Sequence, residues 1–445
     1  MASKRVRNIV FFAFLALFFI SAPLIVLYTA GFRYNIENGE IIRTGTLSIH
    51  TAPRGAGILI DDEDSEEKTP HVFNHMTPET YSITVSKDGY HNWNGSVDIE
   101  SEQTETLANI LLFKDSPSAQ ILKTELTSLT PSPDGNRSVY VQQESGWDEI
   151  WLMDLSDGSV QLIGRFISNP EADLTWSAGG GYFTRTSSSG THIWTFEGVP
   201  VPLPESLRGD YVFWHPDTDH LLYFVLKEST TALDVKTSST TTVENTDTDA
   251  IALDASVLEF GVSGNYTELR QITSSETKVV AVLPRDSYEL AERDGQYVFL
   301  KSSRGDILLI NIHASEPILL QASMQTFDWH EDLNSLVFSD GFEVSTYSPE
   351  SHTETLITRQ SDEILSVKWH PSGSAILIGS GTSITAVDTE KHGNQRNETT
   401  LVTADEFLSF WVSENGEMLF YYISEEEAHG LFSKELTSNG VLEVL

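Results

Sequence analysis

Trp369-His370-Pro371-Ser372-Gly373 is the fullest copy of a phrase that recurs through the last three quarters of the chain. The phrase is an apolar residue, often Trp, followed within one or two positions by a turn containing Gly or Asp. Thinner copies read Trp329-His330-Glu331-Asp332, Trp214-His215-Pro216-Asp217, Trp176-Ser177-Ala178-Gly179 and Pro131-Ser132-Pro133-Asp134-Gly135, with weaker ones near Leu253, Ala291 and Trp411. Together they make eight anchors about 38 to 45 residues apart. From residue 115 onward no stretch shows convincing helical periodicity, and strand-favouring residues dominate.

A period of that length in all-strand sequence is the mark of a β-propeller with one blade per repeat. The expected fold is therefore all-β: an N-terminal transmembrane helix, a small β-sandwich and a C-terminal eight-bladed β-propeller over residues 115–445. Seven blades is the alternative if the region of Leu253 and Ala291 is irregular. The seventh blade is expected to use 364–369, 375–378, 383–388 and 399–402, and the eighth 407–412, 418–423, 430–436 and 441–445. The anchor has a mechanical reading: its Trp ends the innermost strand and wedges into the next blade. Pro then presets φ in the following turn, and Gly supplies a residue free to take positive φ. Trp147-Asp148 reads as part of a loop, and the Ser/Thr-rich run 237–242 with the acidic 244–249 as an exposed hairpin or loop.

The bulk composition narrows function. With 27 basic against 65 acidic residues the net charge is −38, which repels phosphate backbones, so no nucleic-acid partner is expected. Zero cysteines exclude disulfides, thiolate catalysis and thiolate metal sites. Lys4, Arg5 and Arg7 form the cytoplasmic tail, residues 1–8, ahead of an uncharged and largely apolar run over 9–31. As helix that run spans roughly 34 Å, enough to cross a bilayer. Its cations place the N-terminus in the cytoplasm and the rest outside, at the cell membrane. A cleaved signal peptide is the competing reading, but its apolar region is usually shorter.

Residues 32–44 read as a juxtamembrane linker and 45–114 as a small strand domain, with runs at 46–50, 57–60, 81–86, 95–99 and 106–113. Tyr81, Ile83 and Val85 alternate with Ser82, Thr84 and Ser86, as a half-buried sheet requires. Gly45-Thr46-Leu47-Ser48-Ile49, then Pro53-Arg54-Gly55-Ala56, then Ile58-Leu59-Ile60-Asp61, and later Lys87-Asp88-Gly89-Tyr90, resemble the PEGA domain. Arg54 stands where the family name has Glu. The resemblance implies an extracytoplasmic accessory module without catalytic residues, a spacer or attachment unit. The acidic run 61–67 reads as a turn, with a solvated charge run and a calcium loop as its two readings; it lacks EF-hand spacing.

Pro133-Asp134-Gly135 followed by Ile150-Trp151-Leu152-Met153-Asp154 resembles the repeats of TolB-like and WD-repeat propellers, which implies mostly protein or peptide binding. Trp214, His215, Trp329, His330, Trp369 and His370 are the candidate binding residues, because equivalent repeat positions ring one face of a propeller. A metal on the three His is one reading; a turn-stabilising His beside a wedged Trp is the other. No nucleophile elbow, zinc-protease motif or phosphate loop is present, so no catalytic residue, metal or cofactor is expected. The composite expectation is a non-enzymatic binding or scaffolding protein of the cell envelope, its propeller recognising an envelope protein or glycan. A propeller hydrolase of glycans or peptides, and a structural surface-layer component, are the alternatives.

Overall fold

A computed structural model describes residues 4–29, 31–35, 40–204, 207–209, 211–215, 218–226, 229–244, 250–253, 256–273, 277–424 and 429–438. Among the described residues there is one helix, Lys4–Thr29, whose 26 residues reach about 39 Å. Within it Val10–Thr29 is long and apolar enough to cross a membrane. Every other described element is a strand. The chain divides into two units: Met1–Ser116 with Ala386–Leu401 and Leu436–Leu445, and Pro117–Thr385 with Val402–Glu435.

In the first unit, residues 32–44 carry a hairpin of Phe32–Asn35 and Glu40–Arg43. Two sheets follow. One orders His71–Met76, Gly45–Ala52 and Thr104–Leu111; the other orders Glu63–Lys68, Gly57–Ile60, Thr80–Ser86 and Trp93–Asp98. Gly45–Ala52 runs parallel to Thr104–Leu111, a long-range pairing that strand periodicity does not reveal. Leu47, Ile49, Leu107 and Ile110 from one sheet share a core with Ile58, Ile83, Val85, Trp93 and Val97 from the other.

Of the acidic run only Asp61 and Asp62 form the expected turn; the rest is a strand. Asp61 and Asp62 take φ of 51° and 65°, forming a two-residue turn that folds Glu63–Lys68 back along Gly57–Ile60. Glu63–Lys68 has no alternating apolar residue because it is an edge strand with nearly every side chain exposed. Its charges discourage edge-to-edge pairing with another molecule. His71–Met76 escapes a pattern reading for the same reason, its side chains lying only partly buried.

The second unit's strands belong to eight four-stranded sheets over residues 119–435, an arrangement consistent with a propeller. Their first strands are Ser128–Pro131, Asp173–Trp176, Tyr211–Trp214, Ala250–Leu253, Tyr288–Asp294, Thr326–His330, Ile364–Trp369 and Phe407–Val412. Each of the eight anchors lies on one of them. Trp147–Asp154 is the third strand of the first sheet and Ser239–Glu244 the fourth strand of the third. Trp147-Asp148, expected in a loop, thus opens a strand paired on both sides, while the Ser/Thr-rich run forms the exposed outer arm of a hairpin with Ser229–Asp234, as one of its two expected readings had it; residues 245–249 lie outside the described residues. The eighth sheet draws its fourth strand from the start of the region: Ala119–Leu122 pairs antiparallel with Gly430–Glu435. The strand expected over 441–445 lies outside the described residues, and its place in the sheet is filled.

The turns after the first strands share one geometry. Gly135, Gly180, Gly373 and Gly416 have φ of 64°, 70°, 71° and 73°. Each donates its N–H to the carbonyl three residues back, at 2.8, 2.9, 2.8 and 2.8 Å respectively. Asn334, at φ 48°, closes the sixth sheet's turn one position later, donating its N–H to Glu331 O at 3.0 Å. These are turns closed by a residue in the left-handed region, which Gly and Asn tolerate best.

Gly430 carries a different constraint. A Cβ there would sit 2.0 Å from the Leu122 carbonyl, at φ +134°. Gly430→Ala should loosen Ala119–Leu122 and destabilise the second unit by at least the 1–3 kcal/mol typical of a strained φ, roughly. Gly381→Ala, which meets nothing within 4 Å, is the control. Urea unfolding followed by Trp fluorescence checks both; equal midpoints would remove the constraint.

Candidate functional site

The six residues singled out by the repeat are positioned by strand alternation. In the Trp-His phrase, consecutive side chains leave opposite faces of the strand, so the Trp turns toward the preceding sheet and the His toward the following one. Trp214 stacks on Tyr182 of the second sheet with centroids 6.0 Å apart, Trp329 lies 5.1 Å from Tyr297 of the fifth, and Trp369 meets His330 of the sixth edge-on at 5.5 Å. Trp176 likewise donates its indole N–H to Thr130 O of the first sheet at 3.0 Å. The wedge therefore runs backward along the chain, opposite to the expectation of packing into the next blade.

The histidines run forward. His330 Nε2 bonds to Pro371 O at 3.1 Å, and His370 Nε2 to Gly416 O at 3.0 Å. The link continues as Glu414 N donates to Asp134 O at 3.2 Å. Farther along, Gly179 N and Gly181 N donate to Asp219 Oδ1 at 2.9 and 3.2 Å, joined by the Ser177 hydroxyl. The turns of the sixth, seventh, eighth and first sheets are thus tied into a belt along one edge, and those of the second and third sheets into a further joint. Within them Trp214, His215, His330, Trp369 and His370 are all buried, and Trp329 is partly so. The structure does not bring the three histidines together: among the described residues no group of three His, Cys, Asp or Glu side chains could hold a metal ion.

Two buried ionisable groups had no sequence signal of their own. Asp148 and Arg185, with side chains 7% and 2% exposed, approach to 3.6 Å between the first and second sheets. Asn169 N donates to Asp148 Oδ2 at 3.0 Å, and the Arg185 guanidinium lies over the Phe166 ring at 4.6 Å. Burial pulls the guanidinium below its ordinary range while Asp148 opposes that. Removing one partner of such a pair typically costs 3–5 kcal/mol, roughly.

In the first unit, Asp388 is buried and accepts the Trp93 indole N–H at 2.6 Å. Burial pushes its carboxyl up to about 7, with the Trp93 bond and Arg396 pulling the other way. Around it His392 meets the Trp93 ring edge-on at 4.9 Å, Asn94 N donates to Asn397 Oδ1 at 3.1 Å, and Asn109 Nδ2 donates to Glu390 Oε1 at 2.9 Å. The one readable hint is length: the polar connection 389–397 between Ser383–Asp388 and Glu398–Thr403 is long for a hairpin.

His370 and Asp388 respond to pH in opposite senses. Burial holds the His370 imidazole down at about 4 against an ordinary 6.5, opposed by its bond to Gly416. Its stabilising contribution is complete above 6.5 and lost as pH falls to 4, about 3 kcal/mol in all. His370→Gln should flatten that stretch of the urea-midpoint profile; an unchanged slope would count against it. Asp388, raised from 3.8, contributes fully below 3.8 and loses that contribution as pH rises to 7, on the order of 4 kcal/mol. Asp388→Asn keeps an acceptor for Trp93. Amide exchange in 93–98 and 386–397 should then be slower than in the parent at pH 8 and similar near pH 4.

Residues 44–111 match the family model described as the PEGA domain. No curated protein matches the chain. Among solved structures it is similar to a eukaryotic initiation factor at 12% identity and TM-score 0.46, covering 78% of this chain and 94% of that one. It is also similar to Saccharomyces cerevisiae Sqt1, at 10% identity and TM-score 0.45, covering 72% and 98%. A component of the mitotic checkpoint complex matches at 13% identity and TM-score 0.41, covering 73% and 92%.

Proposed function

We propose that this chain is a single-pass, extracytoplasmic scaffold of the cell envelope with no catalytic activity, in which the eight sheets are the blades of one closed propeller. The PEGA-like residues form a sandwich that serves as spacer, and the propeller recognises a protein. Orientation rests on Lys4, Arg5 and Arg7 ahead of the apolar helix. Eight blades are supported by the eight four-stranded sheets and by the closing strand Ala119–Leu122.

The observation that carries recognition is where large apolar side chains remain exposed. Several of the turns after the first strands are taken up by the belt, although Leu333 in the sixth sheet's turn is 49% exposed. At the opposite ends of the strands, beside the hairpins joining second and third strands, Trp147 and Ile167 of the first sheet are 49% and 75% exposed, Val262 of the fourth 67%, and Phe342 of the sixth 52%. Apolar residues recurring there on separate sheets suit a contact surface.

Protease added to intact cells should degrade the region after the helix; full protection would overturn the orientation. A photo-crosslinking residue at Trp147 or Phe342 should capture an envelope protein in cells, and one at Asn136, on the belt side, should not. Equal capture at both, or glycan alone at the first two, would refute the reading.

A further inference from the structure

We infer that the hairpin edge of the sixth, seventh and eighth sheets is a docking strip for a basic, apolar segment of a partner protein, which rests on the scaffold reading above and locates its recognition face. Leu365 and Leu408 are the second residues of the first strands Ile364–Trp369 and Phe407–Val412. Each falls in a register irregularity, between Ile364 and Ser366 and between Phe407 and Ser409. Bulges of this kind re-aim a side chain out of the regular alternation. Both leucines are about half exposed, at 48% and 55%, although the residues just before them, Ile364 and Phe407, are buried.

Backbone bonds make these positions one strip. Ile364 N donates to Gly341 O at 2.7 Å and Gln360 N to Phe342 O at 2.9 Å, setting exposed Phe342 beside the start of the seventh sheet. Phe407 N donates to Gly381 O and Ala404 N to Thr382 O, each at 3.1 Å, doing the same for the eighth. An open depression of about 570 Å³ lies there, lined by Thr382, Ser383, Thr403, Ala404 and Asp405.

The charge around the strip selects the occupant. Asp362, Glu363, Asp405 and Glu406 are exposed on the connections entering the seventh and eighth sheets. Among the described residues of these connections and hairpins the basic side chain is Arg359, tied to Glu343 at 2.7 Å. Apolar contacts inside a fringe of carboxylates complement a segment interleaving Lys or Arg with Leu or Phe. The apolar residues supply contact area and the fringe supplies steering and sign selection.

The test uses the full chain in phosphatidylcholine nanodiscs and a short fluorescein-labelled peptide alternating Lys and Arg with Leu and Phe, read by anisotropy against empty nanodiscs. The same peptide with Glu at the basic positions is the sign control. The basic peptide should bind, more weakly as salt rises, and the acidic one should not. L365D/L408D should weaken binding at least about tenfold, while Asn136→Asp on the belt side leaves it unchanged. If L365D/L408D shifts the unfolding midpoint, L365S/L408S replaces it. Parent-like affinity in the leucine variant, or equal binding of both peptides, overturns the inference. Envelope-protein capture at Trp147 persisting alongside that failure would leave the scaffold reading standing; loss of capture as well would remove both.

Discussion

The pairing of Ala119–Leu122 with Gly430–Glu435 is the contact on which the second unit depends. The two strands are some three hundred residues apart in sequence, yet they make one sheet. Without the pairing, Gly430–Glu435 would present an open edge, and the first and last parts of the region would have no shared hydrogen bonds in that sheet. The contact is close enough that only glycine fits opposite the Leu122 carbonyl. Gln120 adds a side-chain bond to His429 O at 2.9 Å. Long loop closure is entropically expensive but only logarithmically so, so a single well-paired strand can hold it.

Between sheets the joining is done by a two-residue alternation. One side chain of the Trp-His pair fills the space on the preceding sheet and the other secures the turn of the next. A large ring contributes buried area, and a buried imidazole satisfies a carbonyl that would otherwise be left unpaired. The left-handed glycine lets the turn come close: a Cβ on Gly416 would stand 2.6 Å from the His370 ring, and one on Gly135 2.9 Å from Val412 O. Turn conformation, Trp packing and His hydrogen bonding are thus parts of one joint, repeated with variations from sheet to sheet. That leaves the opposite ends of the strands chemically uncommitted, and exposed apolar residues are found there.

Much of the architecture was legible from spacing. The eight anchors fall on eight first strands because the interval between them is the length of one four-stranded unit, and the strand runs of the seventh sheet agree with their expected positions to within a few residues. The PEGA-like motifs fall within the matched residues. The misses have separate causes: Glu63–Lys68 is an exposed edge strand with no apolar alternation of its own, and Trp147-Asp148 is held in its strand by neighbours on both flanks. The candidate residues lie at the ends of three first strands, and their burial was not readable. A Trp-His pair at a turn has the same sequence whether it lines a surface or seals a joint.

By itself the sequence determined the apolar helix, the all-strand character, the period and the left-handed turns, because each depends on local residue type and spacing. Only the tertiary structure decided which way each Trp and His points, which strand completes the eighth sheet, and where carboxylates such as Asp148 and Asp388 become buried. Those outcomes depend on partners distant in the chain: Arg185 for one, Trp93 for the other. It likewise decided that Leu365 and Leu408 stand exposed, since a bulge is set by how two strands meet and has no signature in either strand alone.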